Sequence, residues 1–90
     1  MSELHHIETA SKQALLIKSL IDDLERRLKI LRVYVSIEEE RARVFDRTDP
    51  SYPMIARSLR VRVGNLEVTI ADLKNRMISL DSKNHARSAA

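Results

Sequence analysis

Two groups of side chains in this chain are of the types that bind metal ions. His5, His6 and Glu8 lie close together, and His5 and Glu8 would share one face of a helix. Three consecutive glutamates occupy positions 38–40, but successive residues of a helix point to different sides of it. Neither group is completed by a further ligand set, so we predict no metal site and no cofactor.

Residues that perform catalysis are equally scarce. The chain has no Cys nucleophile, no Gly-rich phosphate loop and no Ser, His and Asp at a meaningful spacing. Glu38 stands at an otherwise apolar helix position, and we predict that it pairs with Arg41, with Arg62 or with a second chain. We therefore predict no catalytic residue, no small-molecule substrate and no enzymatic activity.

Four arginines remain as candidates for chemistry, because guanidinium groups bind carboxylates and phosphates. They are Arg27, Arg41, Arg62 and Arg76. The net charge of +3 comes from 16 basic and 13 acidic residues, and no block of five basic residues occurs. Binding of nucleic acid is thus permitted but not indicated.

Composition restricts the elements that can position these residues. One Gly and two Pro in 90 residues are too few for the turns of a β-sandwich, a barrel or an α/β fold. The longest apolar run covers only residues 14–17, so no membrane-spanning segment is predicted. The absence of Cys suits a reducing compartment, and we expect a cytoplasmic location.

Apolar residues recur at alternating steps of three and four, which is the heptad pattern of packed helices. The core positions a and d of the first helix are apolar except at Glu38, and those of the second helix continue to Leu80. We predict an all-α fold, a long antiparallel two-helix coiled-coil hairpin in one domain, residues 1–90. Its first helix covers about 4–46, its turn 47–52, its second helix 53–84 and its tail 85–90.

Two local signals qualify this scheme. Asp49 or Ser51 is a plausible N-cap of the second helix, with Pro53 in the first turn. Residues 59–70 alternate apolar and polar around Gly64-Asn65, which is typical of a β-hairpin. We favour a helix there, because the heptad pattern runs through this stretch and a lone two-stranded hairpin is marginal in water.

Charges beside the core predict the register of the two helices. If facing residue numbers sum to 101, core positions meet core positions up to Ala42/Leu59 and Phe45/Ala56 beside the turn. Along the edge formed by the e positions, the nearest residues across the hairpin then have numbers that sum to 99, and all four of these pairs are opposite in charge. These pairs are Glu39/Arg60, Arg32/Glu67, Glu25/Lys74 and Lys18/Asp81.

The edge formed by the g positions differs, because Arg41 faces Arg62 and Arg27 faces Arg76. The first helix carries a second apolar stripe beside it, formed by Leu16, Leu20, Ile30, Tyr34 and Ile37. We predict that this stripe is the face through which two copies form a four-helix bundle. The alternatives are that it docks another protein's helix, or that the arginines receive an anionic ligand.

The function that we expect rests on this apolar stripe, because no sequence motif indicates one. We expect a non-catalytic protein–protein interaction or oligomerisation module, a small adaptor or structural hairpin that forms a homodimer. The alternative is a small basic helical-bundle regulator that binds RNA or DNA through the arginine-lined edge. The first helix would also project beyond the second by two to three turns at its N-terminal end, and this segment either frays or is covered by a partner.

Overall fold

The computed structural model describes the backbone of residues 2–89 and the side chains of residues 11–82. Helix α1 covers Ser2–Ala42 and helix α2 covers Met54–Ala89. The two helices pack against each other as an antiparallel hairpin that measures 62 × 19 × 14 Å. Its length matches 41 residues of α-helix at about 1.5 Å per residue. The predicted all-α helical hairpin is confirmed.

The ends of the helices differ from those predicted. α1 ends at Ala42 instead of 46 because Arg43 adopts a left-handed backbone conformation, with φ at 57°. The Arg43 N–H donates to the Glu40 carbonyl at 3.3 Å and tightens the last turn. α2 runs on to Ala89, so the predicted end at 84 and the tail at 85–90 are wrong. The layers beside the turn are wrong for the same reason: Ala42 is exposed and Phe45 lies beyond the helix, 57% exposed.

Two aspartates organise the connection between the helices. Asp46 Oδ1 accepts from the N–H and the hydroxyl of Thr48, at 2.9 and 2.7 Å. Asp49 Oδ1 accepts from the N–H and the hydroxyl of Ser51, at 2.8 and 2.7 Å. These hydrogen bonds hold the pKa values of both carboxyls below their usual range. Because their hydrogen bonds stay inside the loop, neither Asp49 nor Ser51 is the predicted N-cap.

The start of α2 is instead set by Pro53, whose carbonyl accepts from the Arg57 N–H at 3.0 Å. Pro53 therefore lies directly before Met54 and not within the first turn. α2 is continuous through residues 59–70, so the β-hairpin suggested by the local alternation does not form. Gly64 has no positive φ, and an added Cβ would meet no heavy atom within 4 Å.

The core between the helices is lopsided. Five residues at a positions are at most 8% exposed: Ile21, Leu28, Val35, Ala56 and Ile70. Among the described d positions of the two helices only Leu73 is buried, and the other d residues are half-buried. In a coiled coil the a residues lie toward the e flank and the d residues toward the g flank. The hairpin is therefore well covered on its e side and poorly covered on its g side.

Candidate functional site: two unequal edges of the hairpin

The e side, which we call the closed edge, carries ion pairs between the helices. Three of the four predicted pairs form: Glu39–Arg60 at 3.0 Å, Arg32–Glu67 at 3.5 Å and Glu25–Lys74 at 2.9 Å. Among the described side chains, Lys18 and Asp81 form no such pair, although both were predicted to do so. The three pairs confirm the antiparallel register. The aliphatic stems of their long side chains also help to cover the a residues beneath them.

A buried polar cluster terminates the closed edge beside the loop. The Tyr52 hydroxyl donates to Glu39 Oε2 at 2.9 Å and accepts from Arg60 Nε at 2.7 Å, while Arg60 also donates to Glu39 at 3.0 Å. The Arg60 hydrogen bond is the main reason that the pKa of Glu39 lies below its usual value, although burial opposes the shift. The hydrogen bond to Tyr52, followed by the hydrogen bond to Glu39, raises the pKa of Arg60 above its usual value.

Sequence reasoning predicted the Glu39/Arg60 pair but missed Tyr52, which is only 3% exposed. Its ring also lies under the guanidinium of Arg57, 5.5 Å from the centroid. The available signal was an aromatic residue two positions after Pro50 and directly before Pro53. Tyr52 closes the turn end of the hairpin, where Phe45 was expected.

The g side, which we call the open edge, exposes the predicted apolar stripe. Its five members are 44–71% exposed: Leu16, Leu20, Ile30, Tyr34 and Ile37. The half-buried d residues of both helices lie beside this stripe. The open edge is therefore an apolar surface that is interrupted by the charges of Asp23, Arg27 and Arg41.

Two grooves on the open edge are built alike. The first, of about 440 Å³, is lined by Arg27, Ile30, Leu31, Arg62, Asn65 and Leu66. The second, of about 480 Å³, is lined by Gln13, Leu16, Ile17, Arg76, Ser79 and Leu80. Each residue of the second groove stands 14 positions from its counterpart in the first, which is two heptads or about 21 Å along a helix. Each groove thus has d residues at its base and an α2 arginine at its side.

The structure does not bring the four arginines into one site. Arg41 pairs with Glu38 at 3.7 Å, as predicted for Glu38, whose side chain is 19% exposed. Arg27 and Arg62 share the first groove, and Arg76 lines the second. Within the described part of the chain, these three arginines form no ion pair.

Among the described residues, the three glutamates at 38–40 do not form a metal site. Each glutamate of 38–40 pairs with a different arginine, Glu40 with Arg43 at 3.9 Å. Within the described residues, no three His, Asp or Glu side chains come together as a metal site. The side chains of His5, His6 and Glu8 lie outside the described residues.

Neither helix has an apolar segment long enough to cross a membrane, over the residues that the structure describes. The features that could carry a function are therefore the stripe, the two grooves and the arginines of the open edge. Comparison of the chain with protein-family models, with curated proteins and with solved structures finds no match.

Proposed function

We propose that this chain is a non-catalytic oligomerisation module that forms a homodimer by covering its open edge. The observation that carries the proposal is the coincidence of two exposed features on one side of the hairpin. The stripe on α1 is at least 44% exposed, and the neighbouring d residues of both helices are only half-buried. A second hairpin would cover both features at once and complete a four-helix bundle.

The closed edge serves as an internal comparison. There the facing charges are opposite, and most of the a residues beneath them are buried, although Val63 and Met77 are half-buried. On the open edge Arg27 and Arg76 occupy facing g positions, and like charges oppose close approach of the two flanks. The hairpin alone thus covers one side of its core, and the other side needs a partner of helical shape to lie along it.

The experiment is a pair of substitutions within the stripe. Leu20→Lys and Ile37→Lys each place a charge among the apolar side chains of the open edge. Light scattering and sedimentation are expected to show a dimer for the wild type and a monomer for each variant. Circular dichroism should show helical monomers, because Leu20 and Ile37 do not belong to the buried core.

Val68→Lys is the matched control. Val68 is 62% exposed and lies on the outer face of α2, so this variant adds the same charge away from the open edge and should remain dimeric. A wild type of about 10 kDa in solution would refute the proposal. So would a Leu20→Lys variant that stays dimeric, since the dimer would then use a different surface.

A second candidate function, binding of RNA or DNA, has one observation in its favour. Arg27, Arg62 and Arg76 line the open edge without an ion pair among the described side chains. Titration with duplex RNA and DNA at low and moderate salt tests it, because phosphate contacts weaken steeply with salt. Absence of binding at low salt would reject it. A cytoplasmic location stays a prediction.

A further inference from the structure

The centre of the open edge carries the same pair of charges on both helices. Asp23 and Arg27 stand four residues apart on α1, at positions c and g of the heptad, and Asp72 and Arg76 have the same spacing and positions on α2. In the register fixed by the closed-edge ion pairs, Arg27 faces Arg76. The two arginines therefore lie opposite each other on the open edge, Arg27 beside the first groove and Arg76 beside the second.

The chain does not pair these charges across its own edge. Among the described side chains, Arg27, Asp72 and Arg76 form no ion pair. Asp23 contacts Arg26, its neighbour on the exposed face of α1, and both side chains are more than half exposed. An exposed pair three residues apart on a helix contributes only a few tenths of a kcal/mol, so Asp23 remains available to a stronger partner.

A two-fold dimer offers such a partner. In a two-fold interface both copies use the same surface, so an acidic residue that contacts a basic residue of the partner gives two such contacts per dimer. Let α1 pack antiparallel on α1 of a second copy, with facing residue numbers that sum to 50. Four of the five stripe residues then meet a stripe residue of the partner subunit and Asp23 meets Arg27, while Ile37 faces Gln13. The layers are Leu16/Tyr34, Leu20/Ile30 and Asp23/Arg27, each occurring twice by symmetry.

Other registers of the same two helices are worse. A shift by one heptad, to a sum of 57, sets Arg27 against Ile30 and Leu16 against Arg41. A shift in the opposite direction sets Leu20 against Asp23. A parallel two-fold pairing sets every residue against itself, so that Asp23 meets Asp23 and Arg27 meets Arg27, and like charges in contact are unfavourable.

We propose that a second copy of this chain docks on the open edge with α1 antiparallel to α1, in the register that pairs Asp23 with Arg27 of the partner subunit. The arrangement rests on the proposed function, and adds the orientation and the residues that select it. Arg27 then receives a carboxylate from the partner subunit, which offsets the repulsion between Arg27 and Arg76 in the isolated hairpin.

Charge exchange tests the pairing. Asp23→Arg and Arg27→Asp each create two like-charge contacts per dimer, and each should raise the dimer dissociation constant by about tenfold or more. The double variant D23R/R27D restores opposite charges and should return to within about threefold of the wild type. Asp22→Arg is the matched control, because it makes the same change in net charge one position away, outside the stripe.

Cross-linking tests the register directly, since the natural sequence has no Cys. A mixture of Leu20→Cys chains and Ile30→Cys chains should form a disulfide-linked dimer under mild oxidation. A mixture of Leu20→Cys chains with Ile37→Cys chains, which reports the register shifted by one heptad, should cross-link far less.

Three outcomes would overturn the arrangement, and they can be told apart. A monomeric wild type would reject both the dimer and its register. A dimer that responds equally to Asp22→Arg and Asp23→Arg would reject the Asp23–Arg27 contact while leaving self-association intact. A dimer that cross-links through positions 20 and 37 in preference to 20 and 30 would reject the register alone.

Discussion

Gly64 provides the sharpest test of the fold. A helix and a β-hairpin over residues 59–70 predict opposite changes in stability for the substitution Gly64→Ala. In α2 the backbone at Gly64 has no positive φ, and a new Cβ would meet no heavy atom within 4 Å. Ala is favoured over Gly inside a helix by about 1 kcal/mol, and nothing at this site opposes that gain. Gly64→Ala should therefore raise the free energy of unfolding by about 1 kcal/mol.

The assay is urea unfolding followed by circular dichroism at a fixed protein concentration, with thermal unfolding beside it. For a chain of this size, about 1 kcal/mol corresponds to a rise in Tm of about 4–8 °C. Ala71→Gly is the matched control, because Ala71 is exposed and occupies the same heptad position one heptad later. It should lower stability by a similar amount, and the double variant G64A/A71G should lie near the wild type.

A decrease in the free energy of unfolding on Gly64→Ala would refute a helix at this position. In a β-hairpin with a Gly-Asn turn, Gly64 would need a positive φ, and Ala would strain that turn. A destabilised Gly64→Ala variant, with a normal response to Ala71→Gly, would therefore show that α2 is interrupted at this point. A null result at both positions would indicate that the segment is not helical in solution.

Three further predictions concern the turn end of the hairpin. Tyr52→Phe should lower the free energy of unfolding by about 1 kcal/mol in urea, because it leaves Glu39 and Arg60 without the shared hydroxyl. Tyr34→Phe, at an exposed residue, should change it far less. Arg43→Gly should raise stability by roughly 0.5–1 kcal/mol, because the φ of 57° costs Gly nothing, and thermal unfolding would show it as a higher Tm. The low pKa of Glu39 means that its ion pair stabilises the fold above the ordinary pKa of about 4.5 and loses this effect as the pH falls through the lowered value. The stability difference between the wild type and Glu39→Gln, measured by urea unfolding from pH 7 down to pH 3, should therefore shrink on acidification; a constant difference would contradict the ion-pair explanation.

The register of the hairpin could be predicted because several weak signals agreed. The heptads defined two helices, the prolines marked one connection, and the charges at e positions selected an antiparallel alignment in which three of the four pairs form. The fourth pair, Lys18/Asp81, does not form. Both side chains are exposed near the end of the hairpin opposite the loop, where a surface ion pair would gain little free energy. Charge pattern therefore predicted the alignment of the helices better than it predicted each contact.

The loop was less predictable because its residues compete for the same partners. Asp49 and Ser51 have the side chains of helix caps, but they bond to each other instead of to the first turn of α2. Arg43 ends α1 in a conformation that sequence rules reserve for Gly or Asn, so the early end at Ala42 had no sequence signal. The helix that stops early leaves Phe45 in the loop, and Tyr52 takes the buried position instead.

The unequal burial of a and d residues was not visible in the sequence, since both positions are apolar in both helices except at Glu38. Their burial is decided by the flanking residues, which can cover a core side chain only if they can approach the opposite helix. At the e flank they carry opposite charges and meet, as Glu25 and Lys74 do at 2.9 Å. At the g flank Arg27 faces Arg76 and like charges repel, and every described d residue of the helices except Leu73 stays half-buried.

This difference bears on what the hairpin needs to be stable. A chain stabilised only by its own two helices would gain from opposite charges at both flanks, because each such pair both attracts and covers the core. The open edge instead combines facing arginines with an apolar stripe, which leaves apolar surface in water at a cost of about 25 cal/mol per Å². A partner that supplies a carboxylate to Arg27 and apolar side chains to the stripe would offset both the charge repulsion and the cost of the exposed apolar surface. A second copy of this chain carries both kinds of group, in Asp23 and in the stripe itself.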